Sequence, residues 1–132
     1  VVDLDRFKQI NDRHGHAVGD RALIQLAEIM RTEMRGSDVI ARYGGDEFVI
    51  ILPDASLESA RNRLEALREA VRNSAAVAGE RLTVSIGLAE SRADDDFERW
   101  FERADMALLS AKRLGGDRLE SGTEFDRSEE TQ

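Results

Sequence analysis

The stretch Val39-Ile40-Ala41-Arg42-Tyr43-Gly44-Gly45-Asp46-Glu47-Phe48-Val49-Ile50-Ile51-Leu52 constrains this chain more than any other. Two runs rich in β-branched and aromatic residues meet at a glycine pair. Glycine tolerates positive φ at little steric cost, so the stretch predicts a tight β-hairpin bending at Gly44 and Gly45. Asp46 and Glu47 are then expected on successive positions of the outgoing strand, where side chains point to opposite faces. One acid can serve a site while the other serves a neighbour or the scaffold. Taken alone, such a hairpin needs its acids only for solubility. A second apolar strand end, Val1-Val2-Asp3-Leu4-Asp5, also delivers carboxylates, and two acid-bearing strand ends can make an oxygen-ligand site for a hard divalent cation.

A chain of 132 residues with 41% hydrophobic content can bury one real core and not two, so one domain is expected. Cysteine is absent, which removes disulfides and thiolate ligation and fits a cytosolic domain. No apolar run has membrane-spanning length and no secretory leader is visible. The net charge of −8 opposes broad binding to nucleic acid, which needs a basic surface to displace counterions. It does not oppose binding of a single nucleotide, whose phosphates a metal and a few placed lysines can neutralise locally.

In chain order, Asp5 to about Arg13 reads as a short helix with Phe7 and Ile10 inward, ended by Gly15. A second, amphipathic helix follows Gly19-Asp20, with Asp20 in the N-cap position and Leu23, Leu26, Ala27, Met30 and Met34 on one face. After the hairpin, Pro53 stops the strand and Ser56 caps a helix. Its inward stripe is Leu57, Ala60, Leu64, Leu67 and Val71, while Arg61, Arg63, Arg68 and Arg72 face water. Residues 73–80 read as a loop. Arg81 to Ala89 reads as a strand with Leu82, Val84 and Ile86 on one face and Thr83 and Ser85 on the other. Asp94-Asp95-Asp96 opens a last helix, buried along Phe97, Trp100, Phe101, Ala104, Leu108 and Ala111 and closed by Gly115-Gly116. A short strand near Arg118-Leu119-Glu120 precedes a polar tail or linker over 121–132. The order of strand, two helices, hairpin, helix, strand, helix, strand predicts an antiparallel-rich α+β fold with helices covering the sheet.

Arg42-Tyr43-Gly44-Gly45-Asp46-Glu47-Phe48 carries a resemblance. Together with Asp3-Leu4-Asp5-Arg6-Phe7-Lys8-Gln9-Ile10-Asn11-Asp12 and Gly15-His16-Ala17-Val18-Gly19-Asp20, it is similar to the GGDEF domain of diguanylate cyclases. Thr83-Val84-Ser85-Ile86-Gly87, Ala104-Asp105-Met106-Ala107-Leu108 and Ala111-Lys112 extend the likeness to about Leu119, and residues 1–120 are read as that domain. Family members usually carry a further N-terminal segment with a helix and an Asp-x-Leu-Thr-Gly-Leu-like signature, so this sequence is read as cut inside its first strand. The resemblance implies the palm-like fold of nucleotidyl cyclases.

It also implies roles for single residues. Asp3, the main-chain carbonyl of Leu4, and Asp46 are expected to hold Mg2+ (or Mn2+), an ion that keeps phosphate oxygens and water in its other positions. Asp46 and Glu47 are the expected catalytic acids, Glu47, on the opposite strand face, assisting at the metal or deprotonating the attacking hydroxyl. Asn11 and Asp20 match the pair that reads guanine, and their amide and carboxylate suit its donors and acceptors. Phe7, Lys8 and Lys112 match phosphate-binding positions. Arg35 and Asp38 stand where the family has its Arg-x-x-Asp product-inhibition site, whose supporting arginine falls at Ala66 here, with Arg63 or Arg68 in reach. Gly116 replaces the first arginine of a Gly-Arg-Asn-Arg pattern, a lost phosphate contact that Arg113 or Arg118 can supply. Leu109 replaces an aromatic. His14 and His16 lack a third convergent ligand and are read as packing and hydrogen-bonding residues.

The implied activity is condensation of two GTP into cyclic di-GMP with release of pyrophosphate, in a homodimer, inhibited by its product. The alternative is a catalytically weak module that binds GTP or cyclic di-GMP and regulates an attached domain. Either fits a cytoplasmic domain joined to sensor or effector domains, including in a membrane-attached protein.

Overall fold

Strand β1 (Val2–Leu4) is only three residues long, yet it is the middle strand of the sheet and is wholly buried. A computed structural model describes residues 1–122. After β1 come α1 (Phe7–His14), α2 (His16–Glu33), β2 (Val39–Arg42), β3 (Glu47–Ile51), α3 (Leu57–Arg72), β4 (Val84–Leu88), α4 (Phe97–Arg113) and β5 (Arg118–Ser121). The sheet order is β2-β3-β1-β4-β5, antiparallel except for the β4–β5 pair. This is the expected α+β order. Of the expected tail, Ser121 ends β5, Gly122 donates to the Leu88 carbonyl, and 123–132 lie outside the described residues.

Strand alternation sorts the molecule into layers. Val2, Leu4, Phe48, Val84, Ile86 and Leu119 point to one face and join Ile10, Leu26, Met30, Leu64, Leu67 and Val71 of α1, α2 and α3 in the main core. On the other face lie Asp3, Ser85 and Gly87, covered by α4. That helix sits flush on β4: a Cβ added at Gly87 would fall 2.0 Å from the Ala104 carbonyl oxygen and 2.5 Å from the Leu108 nitrogen. Burial of one apolar face by three helices leaves the acid-bearing face under a single helix.

Several local expectations are corrected. Gly44 and Gly45 do not take positive φ. The hairpin turns through 43–46, closed by the Tyr43 and Gly44 amides donating to the Glu47 carbonyl and by the Arg42 guanidinium donating to the Gly44 and Gly45 carbonyls. A four-residue loop has room to turn without a left-handed residue. Asp46 therefore lies in the turn, and Glu47 opens the strand. Helix α2 begins at His16, not after Gly19, so Asp20 is inside the helix and caps nothing. Gly19 serves packing instead: a Cβ there would lie 1.8 Å from Asn11 Oδ1, so α1 and α2 cross where only hydrogen fits.

Strand β4 starts at Val84, not at Arg81, and is buried on both faces, because α4 covers the side that carries Ser85. Arg63 and Arg68 do not face water; they are mostly buried in ion pairs with Asp38 and with Glu65 and Asp117. Phe97 is half exposed and stacks on Phe101, since the first turn of α4 overhangs the sheet. The cap at Ser56 is as expected, and Asp96, read only as one of the acids that open the last helix, proves to be its N-cap; each accepts from the N–H three residues on. Gly115 and Gly116, at φ 116° and 76°, close α4, and Gly116 donates to the Ala111 carbonyl.

Candidate active site

Strand register brings the first acids together. Asp3 pairs with Glu47 across β1 and β3, and directly opposed residues of an antiparallel pair share a face. The expected opposite placement of Glu47 is thus overturned, because strand alternation does not reach Asp46 in its turn. The Leu4 amide donates to the Asp46 carbonyl at 3.2 Å, tying the turn to the end of β1. Asp46 reaches the Asp3 carboxyl, and Lys112 Nζ, from the last turn of α4, lies 2.5 Å from Asp3 Oδ2.

Charge in this cleft is poorly compensated. Burial pushes the Asp3 carboxyl up to about 7, Lys112 opposing the rise and Asp46 adding to it. Glu47 is raised as well, first by burial and then by the carboxyls of Asp105 and Asp46. Burial pulls Lys112 down, but Asp3, Asp46 and Asp5 outweigh it and hold the ammonium above its ordinary value. Among the described residues, the buried side-chain oxygens without a hydrogen-bond partner are Asp3 Oδ1, Asn11 Oδ1 and Glu47 Oε1. Buried oxygens in native proteins are nearly always satisfied, so three orphans on residues singled out by the sequence mark places where a ligand would bond.

No three His, Cys, Asp or Glu side chains gather into a metal-holding group among the described residues. The residues that could hold a cation are instead two carboxylates, Asp3 and Asp46, with the Leu4 carbonyl adjoining in the chain. A magnesium-sized ion accepts so small a set because it keeps waters and phosphate oxygens. Asp3 Oδ1, buried and unpartnered, fits such an ion.

The remaining positions divide. Asn11 is half buried on α1 against Gly19, and Asp20 is the next residue of α2 and exposed, so the two helices bring the pair to one crossing. Phe7 packs on the core, while Lys8 is exposed on the first turn of α1. Arg35 and Asp38 lie at the far end of β2 from the turn that carries Asp46, so they form a separate locus. The Arg35 amide donates to Asp38 Oδ2 at 2.6 Å, and Arg63 of α3 pairs with the same carboxylate. Burial pushes Asp38 up, but Arg63 outweighs it and holds the carboxyl below the usual range. His14 bonds Glu80 at 3.1 Å, and His16 is exposed.

Sequence reasoning did not single out Asp105, which α4 sets beside Glu47, or Asp5. Helical spacing puts Asp105 on a polar face, and only the crossing of α4 over β1 and β3 reveals its neighbour. A cavity of about 380 Å³ lies elsewhere, toward the other end of β1 among Val49, Ile51, Leu88 and Trp100, away from these acids.

The family model of the diguanylate cyclase GGDEF domain matches residues 1–118. This chain belongs to that family. The GGDEF domain is 47% identical over 126 residues to diguanylate cyclase DgcP of Pseudomonas aeruginosa, covering 91% of this chain and 18% of that protein. It is 39% identical over 119 residues to diguanylate cyclase DgcM of Escherichia coli K12, covering 90% and 29%. The chain thus spans less than a third of the length of these two curated relatives. Among solved structures, the GGDEF domain of DgcB from Caulobacter crescentus in complex with c-di-GMP aligns with a TM-score of 0.86 at 31% identity, covering 92% of this chain and 75% of that one. The palm-like fold is therefore that of the family. No helix among the described residues is long and apolar enough to cross a membrane.

Proposed function

We propose that this GGDEF domain is the catalytic part of a diguanylate cyclase that condenses two GTP into cyclic di-GMP and two pyrophosphates. The observation that carries the reading is the buried, unpartnered Asp3 Oδ1 beside Asp46 and Lys112. Mg2+ or Mn2+, held by Asp3, Asp46 and the Leu4 carbonyl, supplies positive charge for the triphosphate. Lys112 and Lys8 add ammonium charges for the phosphates, with Phe7 behind Lys8, and Asn11 and Asp20 hold the guanine edge.

Each domain holds one GTP. The 3′-hydroxyl of the partner's GTP attacks the α-phosphorus in line, a P–O bond forms, and the bond to pyrophosphate breaks. Glu47, its affinity for protons raised by burial and neighbouring acids, takes the hydroxyl proton. The same step in reverse order of donors closes the ring, so two copies must face each other across a two-fold axis.

Arg35 and Asp38 supply a fork of donors and a carboxylate acceptor suited to a cyclic dinucleotide, with Arg63 adjoining, and so support product inhibition there. Gly116, at φ 76°, favours the second reading of a catalytically weak module, because the lost arginine has no equivalent at that position. Purified domain, GTP and Mg2+ separate the two. Two pyrophosphates per cyclic di-GMP once intermediates are consumed, with a rate growing with the square of dilute enzyme, support the cyclase. A dimer that binds GTP and releases no pyrophosphate supports the module. The domain is expected to sit in the cytoplasm, joined to sensor or effector domains, without binding nucleic acid.

A further inference from the structure

Asp5 is absent from every role assigned above, yet its carboxylate is the most engaged acid near the cleft. Its Oδ1 accepts from Ser85 Oγ at 2.6 Å, and its Oδ2 accepts from Thr83 Oγ1 at 2.8 Å and from the Asp117 amide at 2.9 Å. The Asp5 amide donates to the Thr83 carbonyl at 2.9 Å. One side chain thus joins the end of β1 to β4 and to the turn that follows α4.

That turn is shaped to receive it. Gly115, Gly116 and Asp117 take φ of 116°, 76° and 49°, a run of left-handed residues. A Cβ on Gly116 would stand 3.2 Å from Cγ and both oxygens of Asp5. Glycine at this position therefore gives the carboxylate its place as well as giving the backbone its fold. Asp117 is fixed from its other side by Arg68, whose NH1 donates to Asp117 Oδ1 at 3.0 Å and to the Asp117 carbonyl at 3.3 Å. Lys112 lies in the turn of helix just before this junction, and Asp3 lies two residues before Asp5.

We propose that Asp5 is a positioning residue that sets Lys112 against Asp3, by bonding the end of β1 to the Gly116-Asp117 turn. The inference rests on the nucleotide-binding reading of Lys112. A loosened turn lets the end of α4 drift from β1, and the ammonium is then badly placed for phosphate.

The test is a double-mutant cycle read as affinity for a GTP analogue with a methylene between its α- and β-phosphates, which binds but cannot react. Asp5→Ala should weaken binding about tenfold in the parent and less than about twofold in a Lys112→Ala background. Asp5→Asn, which keeps an acceptor for the Asp117 amide and can donate to Ser85, should recover most of the loss, and it also serves if the alanine variant does not fold. For the alanine variant, faster hydrogen exchange at the Asp117 amide than in the parent is expected in both backgrounds, with the asparagine variant close to the parent. Equal loss in both backgrounds, or no loss in a folded variant, overturns the proposal. A parent domain that does not bind the analogue at all refutes the nucleotide reading instead.

Discussion

Asp3 holds a carboxylate where water hardly reaches, with one oxygen against Lys112 and the other without a partner. Such a group costs stability in the empty domain and is useful only when a cation arrives. Asp3→Asn should therefore raise the melting temperature at neutral pH by a few degrees while abolishing pyrophosphate release; calorimetry beside a phosphate assay checks both. Asp38 behaves in the opposite sense. Its folded-state pKa is depressed, so its contribution is complete above its unfolded value near 4 and is lost as pH falls through the lower folded value. Arg63→Gln leaves Asp38 buried without its guanidinium and should cost roughly 3 kcal/mol at pH 7. Urea titrations from pH 7 to pH 3 should show that gap narrowing as pH falls, first where the Asp38 of the variant, raised by burial, takes up its proton and further as pH approaches the lowered value of the parent.

Between elements, two glycines decide how closely helices approach. Gly87→Ala drives a methyl into the backbone of α4, which no rotamer change relieves, and should cost about 3 kcal/mol or more in urea unfolding. Gly19→Ala meets side chains and not backbone, Asn11 foremost and the Phe7 ring at 3.2 Å, so about 1–2 kcal/mol is expected. Its larger effect should be on base preference, because Asn11 must swing away; competition of GTP against ATP checks this. Element order, most helix faces and the Ser56 cap were legible in the sequence because they follow from local periodicity and local hydrogen bonds. The α2 boundary was not, since Gly19-Asp20 looks like a helix start unless the crossing with α1 is known. The partners of Arg63 and Arg68, the burial of Ser85 and the shared face of Asp3 and Glu47 also stayed hidden. Each depends on which elements become neighbours, and periodicity along one segment carries no such information. Motif resemblance, by contrast, named Asp3, Asp46 and Lys112, and the fold brings those three into contact.

At the scale of the whole molecule, two copies of a chain of net charge −8 repel while the proposed chemistry requires them to meet. Raising monovalent salt from about 20 to 150 mM shortens the screening length and should lower the protein concentration at which specific activity reaches half its maximum. Activity measured across a dilution series at each salt checks this, provided Mg2+ is kept constant. The architecture also bears on how the protein fails. Because β1 is clasped on both sides, with its acid beneath α4, edge strands β2 and β5 can fray while the reactive centre keeps its shape. Warming should leave turnover intact until the domain melts, then extinguish it in a single step with no partly disabled survivor.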